Sequence, residues 1–109
     1  MDHLFDLASV PWQPVRPDVA SGVYGRALLD GQVKAVLTRV EPGGRFLSHT
    51  DAYAHLFYFL SGEGALWVGG DETAIRPGLV ARIEAGVAHA YENRGPEDLL
   101  LLSMNLPVG

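Results

Sequence analysis

The sequence predicts an all-β sandwich or barrel. Turn formers recur at intervals of about 8–12 residues between short apolar runs, as in antiparallel strands joined by tight connections. The 13 glycines and 7 prolines are spread along the chain instead of gathered in one linker. No segment combines a 3.6-residue apolar period with helix caps. At 109 residues the chain fits one domain with one core.

Taken in order, residues 1–22 hold Pro11, Pro14 and Pro17, each lacking an amide donor and fixing φ. They predict an extended arm, anchored by Trp12 either on a partner subunit or on its own domain, ahead of a barrel over 23–109. Val23 to Leu29 and Val33 to Val40 flank Asp30-Gly31, a hairpin signal because glycine accepts positive φ cheaply. Glu41-Pro42-Gly43-Gly44 reads as a further turn and Phe46 to Asp51 as a short strand. Strands follow over 55–60, 65–68, 72–75, 79–83, 87–93 and 98–106, separated by Gly- or Pro-bearing turns, for nine or ten in all.

Composition excludes several function classes. Hydrophobic residues at 48% against 19% charged mark a globular chain, not a disordered one. The net charge is −5 with no basic run, so neither nucleic acid nor an anionic membrane is an expected partner. Without cysteine there is no disulfide, thiolate ligand or cysteine nucleophile, which suits a cytoplasmic location. Met1-Asp2-His3-Leu4 lacks the basic start and long apolar run of a signal peptide, and no apolar stretch approaches the ~18 residues of a membrane span.

The chemistry gathers in Gly43 to His55. His49, Asp51 and His55 fall within seven positions, and His89 lies in a second stretch of similar character. Side chains two apart on a strand share a face about 6.6–6.8 Å apart, so His49 and Asp51 can address one point. On a straight strand His55 would stand about 20 Å from His49, too far to share an ion. A common site therefore requires a bend between Ala52 and Ala54, with His55 on a neighbouring strand and His89 on a third. Neutral imidazoles with one carboxylate suit divalent Mn, Fe, Ni, Cu, Co or Zn, one ion per chain. The competing reading is that each histidine is a surface or satisfied core residue, which suits His3. Asp51, the shortest of the four, ligates directly, through water, or not at all. No serine has a placed base, and no glycine-rich turn opens a helix as a phosphate loop does.

The spacing resembles the two motifs of the cupin superfamily. Gly43, five residues, His49-Thr50-Asp51, three residues, His55, six residues and Gly62 follow the first. Gly78, five residues, Glu84-Ala85-Gly86, two residues, His89, three residues and Asn93 follow the second. The likeness covers about residues 33–106. Asp51 stands where the family has a second histidine, His55 where it has a glutamate and Glu84 where it has a proline, so the carboxylate has moved within the ligand set. The resemblance implies a double-stranded β-helix, or jelly-roll barrel, usually a homodimer, with a metal near one mouth.

Alternation sends Phe57 and Phe59 inward with His55, and Tyr91 and Asn93 inward with His89. Tyr53, in the bend, can overhang the metal, and Tyr53 and Tyr91 are the candidate catalytic acids or donors. Arg39 or Arg45 can bind a substrate carboxylate unless it faces solvent, and Trp67 fits packing, a dimer contact or the pocket. Leu100, Leu102, Met104 and Leu106 share one face, expected to seal the core, with Met104 within reach of the pocket. The leading expectation is a metal-dependent enzyme on a small oxygen-bearing molecule: by resemblance a dioxygenase, a sugar or uronate isomerase, or a lyase. The alternatives are a non-catalytic, sugar-like ligand-binding module and a structural protein with a vestigial site.

Overall fold

The barrel is built along one long bent strand. In the computed structural model, which describes residues 4–107, β3 (Lys34–His49) spans 16 residues. It runs antiparallel to β2 (Ala20–Asp30). Its first part, Lys34–Val40, pairs with β9 (Leu99–Leu106), and its last part, Arg45–His49, pairs with β8 (His89–Asn93). The expected turn Glu41-Pro42-Gly43-Gly44 is instead a corner within this strand. Gly43 (φ 78°) and, across in β2, Gly22 (φ 67°) both take left-handed backbone, and the β2–β3 register shifts between Ser21 and Val23. Bulges and glycines at one level let both strands bend together.

The remaining strands are β1 (Gln13–Pro14), β4 (Ala54–Ser61), β5 (Gly64–Val68), β6 (Asp71–Ile75) and β7 (Val80–Ile83). The sheet follows the order β6-β5-β8-β3-β9-β4-β7, with β2 and β1 attached beside β3. It curls so that β5 and β8 face β4 and β9, forming the jelly-roll barrel. Phe57 on β4 and Tyr91 on β8 meet across the interior, their ring centroids 5.8 Å apart. Phe59, Ile83, Leu99, Leu101 and Val40 are the largest fully buried side chains. Each contributes roughly 1.5–3 kcal/mol relative to exposure. Among the described residues there are nine strands and one 3-10 turn (Leu7–Ser9), and no helix is long and apolar enough to cross a membrane.

The face of β9 is the reverse of the expected one. Leu99 and Leu101 are fully buried, and Ser103 and Asn105 continue that inward face. Leu100, Leu102, Met104 and Leu106 lie on the outer side and are half-buried. The run Leu99–Leu102 is apolar at every position, so alternation cannot choose a face.

The arm lies across its own domain. Gln13 and Pro14 stand opposite Gly25 and Tyr24, and Val15 donates its amide to the Val23 carbonyl at 3.0 Å. Trp12 is held by two guanidinium groups, Arg26 at 4.4 Å and Arg39 at 4.5 Å from its ring centroid. Gly25 makes room for this docking: a Cβ there would lie 2.6 Å from Val36 Cγ1 and 3.0 Å from Val15 Cγ2. The arm thereby closes one side of the interior cavity.

Candidate metal centre

His49 ends β3, His89 opens β8, and the two stand opposite each other in the β3–β8 pairing. After Asp51 the chain bends at Ala52–Tyr53, and β4 begins at Ala54 and carries His55. That strand is not beside β3. It pairs with β9 and β7, so His55 approaches from across the barrel.

The imidazoles converge on a single atom. From Asp51 Oδ2, His55 Nε2 lies at 2.7 Å, His49 Nε2 at 3.1 Å and His89 Nε2 at 3.6 Å. His49, Asp51 and His89 offer ligand atoms all within 4.8 Å of one another. Each far nitrogen meets an oxygen acceptor: His49 Nδ1 the Leu47 carbonyl at 2.8 Å, His89 Nδ1 the Val87 carbonyl at 2.9 Å, and His55 Nδ1 Asn105 Oδ1 at 3.1 Å. A carbonyl accepts but cannot donate, so Nδ1 of His49 and His89 carries the proton. In the neutral rings Nε2 then presents a lone pair to the centre. His89 Nε2 is buried with no hydrogen-bond partner.

His55 Nε2 hydrogen-bonds Asp51 Oδ2, but lone pairs of His49 and His89 directed at the same carboxylate oxygen repel it unless a cation lies between them. Imidazole Nε2 atoms with their Nδ1–H groups anchored on oxygen are the arrangement metal sites use. The donor set therefore fits a divalent ion, and the unpartnered Nε2 of His89 is the atom that most needs one. Asp51 is also tied on its other side, where Oδ1 accepts from Arg16 Nη1 at 3.2 Å.

The local electrostatics agree with a carboxylate and a neutral imidazole. Burial would raise the Asp51 carboxyl, but the hydrogen bond to His55, the charges of His49 and His55 and the bond from Arg16 more than offset it and hold it below its ordinary value. Burial pushes His89 down, aided by the neighbouring histidines and opposed by its bond to Val87 and the charge of Asp51. Burial raises Tyr91 far above the usual phenol range. Burial and the Asp51 charge raise Tyr53, with Arg16 opposing. Both tyrosines stay protonated at neutral pH.

The cluster opens onto a cavity of about 510 Å³, within the range of small-molecule sites. His49, Asp51, His55, His89, Tyr53, Tyr91 and Phe57 line it, while Phe59, Asn93, Met104 and Arg39 do not. Phe59 lies deeper, wholly within the core. Asn93 clamps a turn, its Nδ2 donating to the Val40 and Glu97 carbonyls at 2.9 and 2.7 Å and its Oδ1 accepting from Gly95 N at 2.8 Å. Met104 is on the outer face of β9, and Arg39 is stacked on Trp12 and Tyr24 outside the barrel. Arg45 is exposed, and Trp67 is half-buried beneath Arg94. His3 lies outside the described residues.

Other lining residues had no place in the sequence reading. Phe46 stacks on His49 at 4.5 Å between centroids. Both face inward although they are three apart, because the β3–β8 register shifts between them. A bulge re-aims a side chain in this way, and its position leaves no mark in the alternation pattern. Arg16, Lys34, Ser103 and Asn105 also line the cavity. For Ser103 and Asn105 the available signal was two polar residues at alternate positions of an otherwise apolar strand. Arg16, in a proline-rich arm, offered none.

An all-β barrel with a histidine–carboxylate cluster at its mouth is the class of protein defined so far. The cupin-domain family model matches residues 36–105, and the chain belongs to that family. No curated protein sequence matches it. Among solved structures, it is similar to a predicted oxalate decarboxylase from Thermotoga maritima, with TM-score 0.86 and 22% identity over 96% of this chain and 99% of that one. It is also similar to the polyketide cyclase RemF from Streptomyces resistomycificus, with TM-score 0.85 and 21% identity over 96% and 79%. A third is KdgF from Halomonas sp., with TM-score 0.82 and 16% identity over 99% and 96%. At these identities the likeness establishes the fold.

Proposed function

We propose that the chain is a metal-dependent cupin holding one divalent transition metal through His49, His55, His89 and Asp51, and that it is an enzyme acting on a small oxygen-bearing molecule. The convergence of the three Nε2 atoms on Asp51 Oδ2 carries this reading. Imidazole with carboxylate suits Mn, Fe, Co, Ni, Cu or Zn. Such an ion, when bound, supplies Lewis acidity or redox chemistry.

The chain's own residues set the surroundings. Arg16 orients Asp51 through Oδ1, and Asn105 orients His55 through Nδ1. Phe46 and Phe57 form an apolar floor that excludes water from one side. Tyr53 and Tyr91, kept as phenols, offer hydroxyl donors to a ligand's oxygen. Thr38 and Ser103, with hydroxyls 3.1 Å apart, give the far wall polar groups. One of the similar structures is a predicted oxalate decarboxylase and another is a polyketide cyclase, which supports chemistry over passive binding.

One observation favours the second reading, a sugar-like ligand-binding module. Outside the cluster, the described lining includes no carboxylate or histidine for proton transfer. Metal analysis after reconstitution with Mn, Fe, Ni or Zn tests the main proposal. About one ion per chain is expected, falling to near zero in His49→Ala and His89→Ala; a metal-free wild-type chain after reconstitution overturns it. Substrate screening of the loaded protein then separates the readings: a ligand that raises the melting temperature without turnover favours binding. We further infer a homodimer, supported by the exposed apolar side chains Tyr58 and Leu60 on β4 and Val80 on β7.

A further inference from the structure

The cavity is opposite in charge to the chain around it. The whole chain carries −5. The described charged side chains lining the cavity, apart from the histidines, are Arg16, Lys34 and Asp51, two cations against one anion. Arg16 is already engaged by Asp51 and Asp18. Lys34 makes no ion pair among the described residues. Its cross-strand neighbour Asp30 is exposed and does not pair with it.

The sheet register relates Lys34 to the metal cluster. Lys34 stands opposite Asn105 on β9, and Asn105 stands opposite His55 on β4. In-register antiparallel partners project to the same side, so the three form one inward row. Two interstrand spacings separate the Lys34 and His55 backbones by about 9–10 Å. Asn105, between them, already bonds His55 Nδ1. A half-buried cation without a carboxylate partner, at the far end of a row that ends on a metal-ligand cluster, suits a ligand with two anchoring points.

Building on the metal-site reading, we propose that the cavity takes a small hydroxy- or oxo-carboxylate. Its oxygen-bearing carbon faces the His49–Asp51–His55–His89 cluster and its carboxylate is held by Lys34. One unpaired ammonium matches the single charge of a carboxylate. The hydroxyls of Thr38 and Ser103 lie on the same wall for the ligand's remaining oxygens. Lys34 is then a specificity-determining residue: it selects the acid over its neutral counterpart.

The test is isothermal titration of Zn-reconstituted protein with two matched pairs, galacturonate against galactose and lactate against lactamide. Metal content is measured on the same samples. In the wild type at least one acid is expected to bind about 10–100-fold tighter than its neutral partner, the effect of one charge-assisted hydrogen bond. Lys34→Gln should abolish most of that preference and Lys34→Arg should retain it, both with metal content unchanged. Equal binding of acid and neutral partner, an undiminished preference in Lys34→Gln, or no binding by any of the four probes overturns the proposal. If the wild type holds about one zinc per chain but shows no acid preference, only the Lys34 assignment fails. If none of Mn, Fe, Ni or Zn is held, the metal reading fails, and titrating the metal-free protein with the same pairs still decides the role of Lys34.

Discussion

Arg16 holds a φ of 40°, a left-handed conformation that L-residues disfavour, immediately before Pro17. A following proline restricts its predecessor further. The turn fixes it there, since Val19 and Ala20 both donate to the Arg16 carbonyl, at 3.0 and 2.9 Å. Its half-exposed pair with Asp51 stabilises by no more than ~1 kcal/mol, about what the backbone conformation costs, so the ion pair serves to position Asp51 more than to stabilise the chain. Arg16→Gly and Arg16→Ala both delete that pair, and their difference isolates the backbone. The glycine variant should be the more stable by about 1 kcal/mol, a melting difference of several degrees, against the usual preference for alanine. An alanine variant as stable as the glycine variant would show that the left-handed turn is not maintained in solution. At this scale the ligand types were legible and their surroundings were not. His49, Asp51, His55 and His89 carry their chemistry in their identity. Phe46 and Arg16 enter the site through a bulge and a strained turn, which no local pattern announces.

Elements were legible where glycine, proline and polar turns punctuate the chain, as at Gly69-Gly70 and Arg76-Pro77-Gly78, both of which separate strands. They were misread where punctuation bends a strand without ending it, as at Glu41 to Gly44, or where a strand is apolar on both faces, as at Leu99 to Leu102. The docking of the arm is the least predictable step, because its prolines allow only sparse backbone pairing. It depends on Gly25, where a side chain would press on Val15 in the arm and Val36 in β3. Gly25→Ala should destabilise by about 1–3 kcal/mol through overpacking. Because Val15 sits on a segment with few backbone bonds, the arm yields before β3 does. Hydrogen exchange should therefore speed up at residues 13–16 while β4 and β9 keep their protection. Equal acceleration in all three segments would mean that the arm is as firmly integrated as the core strands.

The whole molecule has two faces of different chemistry on the same strands. Inward, β3, β9 and β4 present the cavity. Outward, Val80, Tyr58, Leu102 and Leu37 stand in register across β7, β4, β9 and β3, forming one row. Val80 is 54% exposed and Tyr58 42%, with Leu60 nearby on β4 at 41%. Contiguous exposed apolar surface of this kind marks an interaction site more often than a solvent face. A second copy is the occupant we infer, since such a patch meets itself about a two-fold axis without needing another surface. Sedimentation velocity over about 10–100 µM should then show a dimer, a range that a specific interface of standard size readily covers. Tyr58→Lys and Val80→Lys place an ammonium at the exposed end of the row, where pairing across the axis would bring like charges together. Both variants should sediment as monomers and, since neither side chain faces the cavity, should keep the metal content of the parent. A monomeric parent over that range, or dimers that survive both substitutions, would remove this face from consideration as the interface.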